Sequence, residues 1–144
     1  MTALLEAPVR TSDWQHEAGQ RNGNGAPLDQ RHRELKTVED AGPWEPAVQA
    51  ILAMQHLGDD WDGLGAKAPS RELLESAIGL AFLSLERGTP PPDRVVPGLD
   101  GVVIFEWQPA DGTYTEVEID RPFHAEVMVI EPGRPARQWT LPTE

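Results

Sequence analysis

The chain reads as an α+β protein: a two-helix hairpin packed on one face of a 3–4-stranded antiparallel meander sheet, behind an N-terminal tail. Three observations lead there. Apolar residues recur at three- and four-residue steps over 47–57 and again over 74–85, the period of a helix face. They switch to alternation over 102–107 and 113–120, the period of a half-buried strand. Aliphatic residues cluster only after about residue 44, so the core must be built from there onward. Helices first and strands after imply an antiparallel sheet with its helices on a single side. The expected division is a disordered or weakly ordered tail over 1–43 and one small domain over 44–144.

Each element carries its own signal. Trp44-Glu45-Pro46 opens the ordered part, and Pro46 suits a first helical turn, where its missing N–H is not needed. Ala47, Ala50, Ile51, Met54 and Leu57 share a helix face, Val48 and Leu52 widen it, and Gly58 stands where a left-handed cap ends a helix. Ser70, after Pro69, is an N-cap, with Glu72 and Glu75 near the positive end of the helix dipole. Leu74, Ala77, Ile78, Ala81, Phe82 and Leu85 form the second stripe, and Arg87-Gly88 stops it. Thr89-Pro90-Pro91-Pro92-Asp93 is a stiff, extended connector.

The strands follow. Val102–Trp107 sets Val103, Phe105 and Trp107 against Val102, Ile104 and Glu106. Ala110-Asp111-Gly112 is a hairpin turn, and Thr113–Asp120 alternates Thr115, Val117 and Ile119 with Tyr114, Glu116 and Glu118. Glu126–Glu131 is a third strand, closed by Pro132-Gly133. Arg137–Leu141 is a candidate fourth, and Arg94-Val95-Val96 a candidate short edge. In the tail, Gly19–Pro27 has almost nothing to bury, and Trp14 is the single aromatic.

Composition narrows the function. The formal charge of the 144 residues is −12, and residues 44–144 carry 17 acidic and 7 basic side chains, −10 of that total. Such a surface repels nucleic-acid phosphates, whose binding needs Lys and Arg, and favours basic partners. With no cysteine, disulfides, thiolate metal sites and thiol catalysis are excluded. Met1–Val9 lacks a basic flank followed by an apolar run, and no stretch approaches the roughly 18 apolar residues of a membrane helix. The expected location is cytoplasmic, with no membrane association.

The densest motif is Gly58-Asp59-Asp60-Trp61-Asp62-Gly63-Leu64-Gly65-Ala66, between the two helical segments. Asp60, Asp62 and Gly65 fall at positions 1, 3 and 6 of a calcium-loop pattern, but Leu64 and Arg71 stand where it needs oxygen ligands. A structural role is the stronger expectation. Asp62 can accept from backbone N–H groups two residues on, while Gly63 and Gly65 supply unusual backbone angles. An exposed Trp61 among carboxylates would also suit an Arg-bearing partner.

At these residues the chain resembles a group of small uncharacterised bacterial and phage-associated proteins. In them a Trp-Asp-Gly-aromatic-Gly-Ala segment precedes a Pro-Ser helix start, and a proline-rich link leads to Asp-Gly and then Glu-Trp. Here the counterparts are Trp61-Asp62-Gly63-Leu64-Gly65-Ala66, Pro69-Ser70, Pro97, Asp100-Gly101 and Glu106-Trp107. The resemblance spans about residues 44 to 131 and departs at Leu64. It implies a shared fold and no catalytic activity.

No catalytic set emerges. The four histidines, His16, His32, His56 and His124, are scattered, and Ser70 is explained as a cap. The expected function is therefore a non-enzymatic, acidic protein-interaction module, an accessory or neutralising partner in a phage or mobile-element context. The expected binding residues are Asp59, Asp60, Trp61, Asp62, Gly63, Gly65, Glu106 and Trp107, facing a basic protein surface, with no cofactor and no resident metal. Two alternatives stand beside it: a divalent-cation domain built on the Asp-rich loop, and an enzyme pairing Glu106 with Glu116 or Glu118 across the hairpin.

Overall fold

A computed structural model of the chain describes residues 37–141. The tail over 1–36, with Trp14, lies outside the described residues. Within them the fold is α+β, with one antiparallel sheet under a helical layer.

A 3-10 turn at Val38–Trp44 comes first and contributes Ala41 and Trp44, both fully buried, so the core begins before residue 44. The turn passes through Gly42, whose φ of 55° belongs to the left-handed region. Helix α1 (Glu45–Ala53) starts on Pro46 in its first turn, as its sequence predicts. Its end differs from expectation. The chain tightens into a 3-10 turn at Met54–His56 and stops where Leu57 becomes extended, whereas Gly58 is not in the left-handed region. No glycine cap is required, because the backbone simply straightens into the acidic loop.

Helix α2 (Arg71–Glu86) is capped by Ser70, whose Oγ accepts from the Leu73 N–H at 3.1 Å, and it closes on Gly88 at φ 79°. Leu73, Leu74, Ala77, Leu80, Ala81 and Leu83 are buried along it. Both helices pack against each other and against the same face of the sheet.

The sheet has five strands, one or two more than expected: β1 (Arg94–Pro97), β2 (Val103–Trp107), β3 (Tyr114–Arg121), β4 (His124–Ile130) and β5 (Arg137–Leu141). They lie side by side in chain order, all antiparallel. Both short candidates at the ends therefore pair. Neither carries enough apolar alternation alone, and each gains its place from the neighbour whose free edge it covers.

The two faces separate by period two. Val103, Phe105 and Trp107, Thr115, Val117 and Ile119, and Ala125, Val127 and Val129 turn inward beneath the helices. At the centre of this layer, three aromatic rings meet edge to face. Trp44 lies 5.8 Å from Phe105 and 6.2 Å from Trp107 by ring centroid, and Phe105 lies 6.2 Å from Trp107. Their indoles also hold the proline connector. Trp44 Nε1 donates to the Thr89 carbonyl at 2.9 Å, and Trp107 Nε1 to the Pro90 carbonyl at 2.9 Å. No helix among the described residues is long and apolar enough to cross a membrane.

Candidate functional site

The expected binding residues divide among three places. Asp59, Asp60, Trp61, Asp62, Gly63 and Gly65 form one closed loop between the helices. Glu106 lies on the sheet face opposite the helices. Its neighbour Trp107 points the other way into the core, only 8 % exposed, so Trp107 is a packing residue and not part of a surface shared with Glu106. Neighbours on a strand face opposite sides, and the Glu-Trp pair could not have served one site.

In the loop the carboxylates hold backbone. Asp62 Oδ1 accepts from the N–H groups of Leu64 at 2.8 Å and Ala66 at 3.0 Å. Asp60 Oδ1 accepts from Gly65 at 2.7 Å, and Asp59 Oδ1 from Ala68 at 3.1 Å. Asp60 itself sits at φ 67°, a left-handed conformation that Asp tolerates better than most side chains, and its N–H donates to the Ala66 carbonyl at 2.6 Å. Trp61 is half-buried and donates from Nε1 to the Lys67 carbonyl at 3.0 Å.

The loop then joins the sheet. The Lys67 N–H donates to the Leu99 carbonyl at 2.9 Å, and Lys67 makes an isolated parallel bridge with Asp100. Gly101, at φ 80°, lies so close that a Cβ there would stand 3.2 Å from the Ala68 carbonyl oxygen. Arg71, at the last position of the calcium-loop pattern, is already in α2 and pairs with Glu75 at 3.5 Å. Among the described residues no three His, Asp or Glu side chains converge as a metal site. The geometry is that of a brace between helices and sheet.

Asp62 gives this brace a pH dependence. The backbone N–H groups of Leu64 and then Ala66 hold its carboxyl below the ordinary value of 3.8. A folded value lower than the unfolded one stabilises the fold above pH 3.8, and that stabilisation is lost as pH falls through the folded value. Thermal melts should therefore show D62A less stable than D62N at pH 7, because Asn keeps an acceptor oxygen. The gap between wild type and D62N should close in strong acid.

The second cluster occupies the open face of the sheet, where pairing builds two transverse rows. One runs Arg94, Glu106, Glu116, Met128, Gln138; the next runs Val96, Ile104, Glu118, Glu126, Thr140. Glu106 thus stands directly opposite Glu116, and Glu118 opposite Glu126. Like charges at such positions destabilise a sheet by a few tenths to about 1 kcal/mol per pair.

The first pair is answered internally. Arg94 Nε meets Glu106 Oε1 at 2.9 Å, and the Tyr114 hydroxyl lies 3.1 Å from Glu106 Oε2 and 2.8 Å from Glu116 Oε1. Burial, then the bond to and charge of Glu116, then those of Glu106, push the phenol well above its ordinary value, so Tyr114 stays a neutral donor. Glu116, Glu118 and Glu126 form no salt bridge among the described residues.

Glu118 bears the cost of this crowding. Partial burial first, then Glu116, Asp120, Glu126 and Asp100, raise its carboxyl above the ordinary 4.5. Because the folded value exceeds the unfolded one, the fold gains relative stability as pH falls through the folded value toward 4.5. E118Q should accordingly stabilise the protein at pH 7 by about 0.5 kcal/mol. Urea titrations at pH 7 and pH 4 should show that gain vanish in acid.

Arg94, Tyr114 and Glu126 were not among the expected site residues. The alternation of Tyr114, Glu116 and Glu118 marked the face. Which residues lie opposite one another depends on turn length and register, so Arg94 and Glu126 carried no local signal. No protein-family model, curated protein or solved structure matches the chain.

Proposed function

We propose that this protein is a non-enzymatic interaction module that binds a basic protein partner through the open face of its sheet. One observation carries the proposal: Glu116, Glu118 and Glu126 stand together on a face that no described element covers, and none of them makes a salt bridge among the described residues. A protein tolerates that repulsion most readily where an outside cation relieves it. The Asp loop, whose carboxylate oxygens accept from its own backbone, braces this surface and does not form it. Glu106 is paired with Arg94, and the single Tyr114 hydroxyl lies between Glu106 and Glu116.

A neutralising or accessory role toward a basic partner, in a phage or mobile-element context, is the form of this reading that we propose. Calorimetric titration of the full chain with an Arg/Lys-rich peptide and with a Glu-rich control of equal length tests it. Binding of the basic peptide alone, weakening steeply between about 50 and 300 mM salt, is the expected outcome. Absence of binding at the lower salt would remove the proposal.

A further inference from the structure

The helical layer is narrower than the sheet beneath it. A helix is about 10 Å across and strands stand about 4.8 Å apart, so two helices cover about four strands. α1 lies against β1 and α2 against β2 and β3, which leaves β5, two strands further on, at the margin. Its inner side is nevertheless shut off from water. Leu141 is 2 % exposed, and Trp139, opposite Val127, has its indole Nε1 hidden from solvent with no acceptor among the described residues. We infer that the chain's own N-terminal segment, residues 4–17, covers the inner side of β4 and β5, anchored by Leu5 and Trp14.

Three features select this occupant. The first is where the segment enters. Thr37 precedes the 3-10 turn at Val38–Trp44, which packs on α1 and α2, so the residues before it join the fold on the helical side of the sheet. The 19 residues of 18–36 can span about 60 Å, several times the roughly 19 Å between β1 and β5.

The second is what the segment carries. Leu4, Leu5, Val9 and Trp14 hold most of the apolar surface that precedes Thr37, whereas residues 19–27 have almost nothing to bury. Phe123, 39 % exposed in the turn between β3 and β4, gives them a further apolar contact at the Leu141 end. A carbonyl or carboxylate of the segment is the acceptor that the buried Trp139 N–H requires.

The third is charge. Glu6, Asp13 and Glu17 outnumber Arg10, so the segment is repelled over most of this acidic domain. Beside β5 it meets cations. Arg137 pairs with Val129 on the inner side, its guanidinium 5.7 Å over the Trp139 ring, and Arg134 stands just before the strand.

Because the chain has no cysteine, S12C takes a single nitroxide label in the full-length protein. The amide peaks of Val127, Val129, Trp139 and Leu141, with the Trp139 indole peak, should be lost to paramagnetic broadening, while β1 and the loop over 59–65 keep theirs. L5D/W14D should restore the lost peaks and melt several degrees lower. Labelled chains mixed with unlabelled, isotopically enriched ones should show no loss. Broadening centred on β1 or the loop, or none at all, would overturn the proposal. Broadening that survives L5D/W14D would overturn the anchoring by Leu5 and Trp14. Peaks lost in the mixture would assign the same surface to a second copy and overturn the intramolecular reading.

Discussion

W44A should come close to unfolding the protein. Trp44 is fully buried, lies edge to face against Phe105 and Trp107, and holds the Thr89 carbonyl through Nε1. Truncating such a side chain costs about 3–5 kcal/mol through lost transfer energy and the cavity left behind. Leaving a buried carbonyl without its donor adds about 1 kcal/mol. Against a total stability of roughly 5–15 kcal/mol, that is most of the margin at the lower end. Urea denaturation should show W44A with a midpoint near zero denaturant, or a melt lowered by roughly 20 °C. W44F should fall between, keeping a ring in the cluster but losing the indole donor. If W44A melts within a few degrees of wild type, the aromatic cluster is not the centre of this core.

The second large effect concerns recognition. E116K/E118K replaces the two cation-free carboxylates of β3 by ammonium groups on the same face. A basic partner then meets repulsion in place of attraction, and like-charge juxtaposition at an interface costs several kcal/mol. Affinity for an Arg-rich peptide should fall by about 100-fold or more, or roughly 3 kcal/mol. The fold should survive, since the reversal gives Glu126 an opposite-sign neighbour across the ladder and removes the repulsion between Glu106 and Glu116. Calorimetric titration together with a thermal melt separates the two effects. A variant that binds as wild type does would show that the binding surface lies elsewhere.

How much of this was legible in the chain depended on how local each signal was. The Ser70 cap, the Pro46 helix start, the Gly88 stop and the Asp111-Gly112 turn are decided within four residues. The structure places each of them as its own chemistry requires. The Asx geometry of Asp62 is local in the same way, its carboxylate accepting from N–H donors two and four residues on. Gly58 misled because a glycine after a helix is a common cap, yet Leu57 leaves the helix first. The strand count fell short because β1 and β5 are specified by the edges they cover, 94 against 106 and 141 against 125, and not by their own four or five residues.

The site was harder to read for the same reason. The Asp cluster is conspicuous in the sequence, but the bonds from Gly65 to Asp60 and from Ala68 to Asp59 span five and nine residues and only the closed loop reveals them. Glu106, with Glu116 or Glu118 across the hairpin, was weighed from the sequence, but Glu126 was not. Register set Glu106 against Glu116 and Glu118 against Glu126, bringing four acids from three strands onto one face. Trp107 was paired with Glu106 by adjacency, and strand alternation sends it to the opposite side.

The most direct measurement is an amide chemical-shift map of the isotopically labelled full chain during titration with an Arg-rich peptide. If the open sheet face is the partner surface, the largest shifts should fall on Ile104, Glu106, Glu116, Glu118, Glu126 and Met128, and the loop over 58–69 should move little. Shifts concentrated on Asp59–Gly65, or on the exposed side of α2, with the β2–β4 residues unchanged, would contradict it.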